Sequence, residues 1–238
     1  MDYLKEIGVQ RWRLRDGVVN HGQSSQGVER VQSVTPDEVS MLKPVVAEQR
    51  TTHPSEKRDS WASVIADMSA ESACPACLAS TPILGEGDQN AKWVVIVDAP
   101  TRRDVEEQRL LAGRDGQLLD AMLAAMTLTR ETVYLTSIFK CAPAADHHLS
   151  PRCNDLLIRQ LRLIQPAKIL VFGEFAAQTL LRSNDPMSVL RADIHTLKAV
   201  NAKVGVTTSI TEILAKPKCK AVVWRDLCRL ADADQELV

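Results

Sequence analysis

The sequence predicts an α/β fold, a three-layer domain built on a central, mostly parallel sheet. Two observations lead there. Beyond residue 61, short β-branched runs alternate with amphipathic helical stretches, the pattern of strands joined by helical crossovers. The longest apolar runs, such as 93–97, are strand-sized and too short to cross a membrane. The strands read as WVVIV at 93–97, VYLTSI at 133–138, KILVFG at 168–173 and KVGVTT at 203–208. Helical spacing falls at about 117–126, 154–164, 175–181 and 218–231, the second of these placing Leu157, Leu161 and Ile164 on one face. A chain of 238 residues that is 45% apolar supplies the core for one such domain plus substantial extra sequence.

That extra sequence lies in front. Residues 1–17 form a short amphipathic peptide, with Tyr3, Leu4 and Ile7 at helical spacing, Gly8 as a stop, then Trp12 and Leu14 between Arg11, Arg13 and Arg15. A piece so short is unstable alone in water and must dock on its own domain or on another protein. Residues 18–60 are rich in Gln, Ser, Thr, Pro, Glu and Arg and read as a flexible linker, which leaves 61–238 as the α/β domain. The formal charge of −1 provides no global field for a polyanion, so DNA contact is expected only locally or through a partner. The charged N-terminus has no apolar signal core, and a cytoplasmic location without membrane attachment is expected.

Six cysteines in a reducing compartment call for an account in terms of metal chemistry. Cys74 and Cys77 are spaced C-x-x-C. Cys141 and Cys153 bracket a loop that leaves a predicted strand and enters a predicted helix, so the four can converge. Four thiolates suit an iron-sulfur cluster or Zn²⁺, and spacing does not choose between them; ordinary buried thiols are the plain alternative. Cys219 and Cys228 read as structural or incidental, His147 and His148 as solvated loop residues, and Lys216, Lys218 and Lys220 as a solvated helix entry.

The cysteine pair at 74 and 77, VIVDAP at 95–100, the stretch GRDGQLLDAMLAAMTLTRETVYLTSIFKC at 113–141 and CNDLLIRQLRLIQPAKILVFGEFAAQTLL at 153–181 resemble the iron-sulfur, or family 4, uracil-DNA glycosylases. The resemblance implies a glycosylase-like fold and a [4Fe-4S] cluster on Cys74, Cys77, Cys141 and Cys153, with Zn²⁺ as the alternative occupant. It also exposes departures. The family's G-E-A-P-G motif falls on Val97-Asp98-Ala99-Pro100-Thr101, where Asp98 can orient water or simply bond nearby backbone. The stacking aromatic is replaced by Leu111, the base-reading Asn by Ser137, and counting back from Pro217, Lys220 and Trp224 puts Ser209, Ile210 and Thr211 where the family has H-P-S. A leucine has no aromatic face and serine cannot read an amide edge. Loss of a positioned transition-state donor costs about 10²- to 10³-fold, so Asp98, Leu111, Ser137 and Ser209 read as a vestigial pocket.

The opening 3–15 and the ending 216–228 also resemble the psi subunit of bacterial DNA polymerase III. That resemblance implies a non-catalytic accessory subunit, not an enzyme as an isolated chain. Its Tyr3, Leu4, Ile7, Trp12, Leu14 and Arg15 would dock on the clamp-loader ATPase subunits tau or gamma, with Trp12 as the buried anchor. Its α/β domain would bind the chi subunit, which contacts single-stranded-DNA-binding protein. The alternative is a divergent iron-sulfur uracil-DNA glycosylase of base-excision repair.

Overall fold

The computed structural model describes residues 59–69, 81–143 and 150–233. The peptide 1–17, the linker 18–60 up to residue 58, Cys74, Cys77, His147 and His148 lie outside the described residues.

Four apolar strands form the centre of a six-stranded sheet: β2 (Trp93–Val97), β3 (Tyr134–Ser137), β4 (Lys168–Phe172) and β6 (Ala202–Thr207), all parallel. Two short antiparallel strands close the edges, β1 (Glu86–Gly87) on β3 and β5 (His195–Leu197) on β6, giving the order β1-β3-β2-β4-β6-β5. Helices α1 (Trp61–Ser69), α2 (Arg102–Glu107), α3 (Arg114–Ala125) and α4 (Pro151–Ile164) precede or connect the first three central strands. They are followed by α5 (Glu174–Leu181), α6 (Met187–Leu190), α7 (Ile210–Ala215) and α8 (Lys220–Asp232).

Strand alternation splits the core into two layers. Val94 and Ile96 of β2 join Ile169, Val171, Val204 and Val206 beneath Leu157, Leu161 and Ile164 of α4 and Ala176 and Leu180 of α5. Val95 and Val97 point the other way, with Leu135, Leu170 and Phe172, beneath Leu119 and Leu123 of α3 and Val223, Leu227 and Leu230 of α8. Both faces are covered, so the strands carry apolar residues at successive positions. The face expected for Leu157, Leu161 and Ile164 is the one buried.

Helix α1 docks on the outside of α4. Val64 and Met68 pack on Leu156, and Arg159 reaches across with Nε on Asp59 Oδ1 at 2.7 Å, Nη2 on Ser63 Oγ at 2.9 Å and Nη1 on Asp67 Oδ2 at 2.5 Å. Among the described residues, no helix is long and apolar enough to span a membrane.

Candidate active site at the carboxyl edge of the sheet

The chain leaves β2 toward β3 on one side, whereas β4, on the other side of β2, leads on to β6. The direction of winding therefore reverses between β2 and β4, and in open α/β sheets the crevice beyond the strand ends at such a reversal is where ligands bind. Asp98 follows β2 at this point, Ser137 ends β3, Gly173 follows β4, and Ser209 comes two residues after β6. Leu111 lies in the turn before α3, on the same edge. Parallel pairing thus carries the predicted pocket positions 98, 137 and 209 to one rim of the sheet, and the crossover that follows β2 supplies 111.

Asp98 is half-buried and tied to the next crossover. Its Oδ1 accepts from the Ala176 amide in the first turn of α5 at 2.8 Å, and its main-chain oxygen accepts from the Phe139 amide at 3.0 Å. Gly173 makes room: a Cβ there would stand 2.5 Å from Asp98 Oδ2, and its φ of +106° with ψ of 149° is backbone that side chains rarely adopt. Oδ2 accepts no hydrogen bond from a described residue. Burial raises the Asp98 carboxyl above the ordinary aspartate value, partly opposed by the Ala176 amide, which favours the anion. The unfolded chain therefore ionises first. The carboxyl's contribution to stability is complete below its ordinary pKa and is lost as pH rises through the raised folded value. We expect D98N, which can keep the Ala176 bond, to melt at or above the parent at neutral pH and to lose that advantage in acid; melting curves across a pH series check this.

The remaining predicted positions serve their own turns and helix starts. Ser137 is buried and its hydroxyl donates to the Phe139 carbonyl at 2.6 Å, so it is occupied within its own turn. Ser209 is the N-cap of α7, its Oγ accepting from the Glu212 amide at 3.3 Å. Leu111 is 9% exposed and sits at φ +51°, a left-handed conformation for a leucine. With Thr101, Arg103, Asp104, Gly113 and Asp115 it lines a cleft of about 150 Å³.

Two residues that hold this wall escaped the sequence reading. Asp104, 2% exposed, accepts from the Thr101 amide at 2.8 Å and the Ala112 amide at 2.7 Å, while Thr101 Oγ1 accepts from the Asp104 amide. This is a capping box that also fastens the residue after Leu111. Arg130 closes the other side: Nη1 donates to the Leu110 carbonyl at 2.9 Å and Nη2 to the Leu111 carbonyl at 3.2 Å, and the guanidinium pairs with Glu86 and Asp120. Gly116 is needed here because a Cβ would meet the Leu111 carbonyl oxygen at 1.9 Å. The T-x-x-D spacing at 101–104 was a legible signal for the first device; nothing local marked Arg130.

Of the four predicted metal ligands, Cys141 and Cys153 are described. Both are buried without solvent exposure, one just beyond β3 and one in the first turn of α4. Asn154, beside Cys153, carries a buried Oδ1 with no hydrogen-bond partner among the described residues. Soft, buried sulfur donors from a strand-end loop and a helix start fit a sulfur-ligated cluster. Among the described residues, no three His, Cys, Asp or Glu side chains gather as a metal site.

A mostly parallel sheet covered on both faces by helices, with its winding reversed between β2 and β4, defines an open α/β domain of the doubly wound class. The profile of the Uracil DNA glycosylase superfamily matches residues 84–228. The chain belongs to that superfamily. It is 35% identical over 124 residues to a type-4 uracil-DNA glycosylase of Archaeoglobus fulgidus, covering 50% of this chain and 59% of that protein. It is 24% identical over 153 residues to one of Pyrobaculum aerophilum, covering 60% and 78%, and 30% identical over 109 residues to one of Thermotoga maritima, covering 44% and 57%. Against the first and third of these relatives the chain thus spans less than two thirds of their length.

These likenesses overturn the expectation of a non-catalytic clamp-loader subunit that is not an enzyme. The relatives are named as enzymes, and nothing in the comparisons supports a psi subunit. The physical reason lies in where the evidence for psi sat. The C-terminal stretch 216–228 falls within the residues matched to the glycosylase superfamily, so it carries no independent weight. The N-terminal motif 3–15 is short and lies outside the described residues. Losing individual pocket residues lowers an activity without moving a chain out of its superfamily.

Proposed function

We propose that this chain is a divergent iron-sulfur uracil-DNA glycosylase, acting on uracil or another damaged base in DNA. The observation that carries the reading is Asp98: a half-buried carboxylate at the reversal point of the sheet, anchored through Oδ1 to the α5 amide and presenting Oδ2 with no protein donor among the described residues. In a glycosylase, cleavage of the bond between sugar and base leaves a cationic sugar and an anionic base, and water completes the reaction. Asp98 Oδ2 would accept a proton from that water and its negative charge would stabilise the sugar cation; its raised pKa makes it the stronger base once ionised. Asp104 and Arg130 hold the Leu111 wall, which closes the cleft with an apolar side chain.

The cluster would be held by Cys74, Cys77, Cys141 and Cys153 and would fasten the segments that bear them. Departure of the base has no imidazole at position 209 to assist it, because Ser209 caps α7 instead. Excision is therefore expected to run about 10²- to 10³-fold slower than in an enzyme retaining such a donor. The test is single-turnover incubation of excess protein with single- and double-stranded oligonucleotides carrying one uracil, followed by alkali. Slow, site-specific cleavage that D98N reduces a further tenfold or more supports the reading. Strands that remain intact after prolonged incubation would refute it.

A further inference from the structure

We infer that Phe175 is a nucleobase-stacking residue, a platform for an unpaired base of the DNA strand that supplies from the α5 side the aromatic face Leu111 lacks. The inference rests on the function proposed above and deepens it. Phe175 stands in the first turn of α5, at the carboxyl edge of the sheet, one residue before the amide that binds Asp98. Its side chain is 41% exposed, and of the three large hydrophobic residues exposed among the described residues, Ile65, Phe175 and Val189, it alone is aromatic.

The ring is held in place rather than loose. It stacks on Phe139, with centroids 5.4 Å apart and planes 11° from parallel, and Phe139 is 7% exposed. The Phe139 amide donates to the Asp98 carbonyl, so both members of the stack are fastened through neighbouring backbone to the residue assigned to the chemistry. The result is a two-ring stack with its inner ring buried and its outer ring open to solvent beside the reversal point. Any unpaired base offers a π-face that extends such a stack, and aromatic platforms of this kind bind single-stranded DNA with little regard to sequence.

The experiment uses the full chain and a fluorescently labelled single-stranded oligonucleotide containing one uracil. F175A and F175L should each weaken binding about tenfold, while F175W keeps affinity within about twofold. The indole of F175W should also lose emission on saturation with DNA, read as the difference from the parent. Because the outer ring is exposed, F175L should melt as the parent does, which separates stacking from folding. Unchanged affinity in F175A and F175L, F175W emission that DNA does not move, or a parent chain that fails to bind the oligonucleotide would each overturn the inference. Excision that persists with unchanged F175A binding removes the platform alone. Tenfold weaker F175A binding in a chain whose parent releases no base removes the excision reading and leaves the platform standing.

Discussion

Cys153→Ser should leave the purified chain without iron and sulfide and lower its melting temperature by about 10 °C. Cys153 is fully buried in the first turn of α4, and α4 packs on the sheet through Leu157, Leu161 and Ile164 and on α1 through Leu156. A serine hydroxyl is a poor ligand for the soft iron of a cluster. The cluster proposed for Cys74, Cys77, Cys141 and Cys153 binds the folded chain alone, so its loss removes stability by mass action as well as by packing. A drop of about 3 kcal/mol is the expected scale, and for a domain of this size each kcal/mol shifts the melt by roughly 2–4 °C. Burying a hydroxyl in place of a thiol, without a cluster at stake, would cost nearer 1 kcal/mol. Metal and sulfide analysis of anaerobically purified parent and C153S, with melting curves of both, separates the two. A parent chain free of iron would remove the cluster, and with it the iron-sulfur part of the proposed function.

Gly173→Ala is the second large effect, and it couples stability to the site. The new Cβ would meet the Asp98 carboxylate at 2.5 Å while φ stays near +106°. The backbone strain costs about 1–3 kcal/mol, and pushing Asp98 off the Ala176 amide forfeits a charge-assisted hydrogen bond of similar scale. We expect a loss of about 3–5 kcal/mol by denaturant titration, together with loss of any excision that depends on Asp98. The double variant with D98G, which removes the obstructing carboxylate, should recover part of the stability and none of the activity. Additive losses in the double variant would show that the strain at 173, and not the clash, sets the cost.

The sheet was legible because its centre is made of continuous apolar runs of strand length. The strands expected at 93–97, 133–138, 168–173 and 203–208 appear as Trp93–Val97, Tyr134–Ser137, Lys168–Phe172 and Ala202–Thr207. The edge strands were not legible, since Glu86–Gly87 and His195–Leu197 are too short to show an alternation and exist by pairing with a neighbour. Helix α2, with the sequence RRDVEE, has almost no apolar face and owes its place to the Thr101–Asp104 cap. At the site, sequence named the positions 98, 111, 137 and 209 but not what their side chains do. Ser137 and Ser209 spend their oxygens on backbone groups two and three residues away, an outcome that depends on the local turn. Arg130 reaches Glu86, which is 44 residues away in the chain, a link that only the folded sheet creates.

The two edge strands have a consequence for life in solution. WVVIV and KILVF, laid open, are the kind of segment that recruits its own likeness into fibrils. Here they sit in the interior of the sheet, and what faces outward at either side is a stub of two or three residues, one bearing Glu86 in an ion pair with Arg130 and the other His195 bonded to the Leu190 carbonyl. Such stubs offer an incoming strand too few free amides to template growth. Unpairing a stub is therefore expected to expose a longer edge and promote self-association, read as light scattering of the concentrated chain.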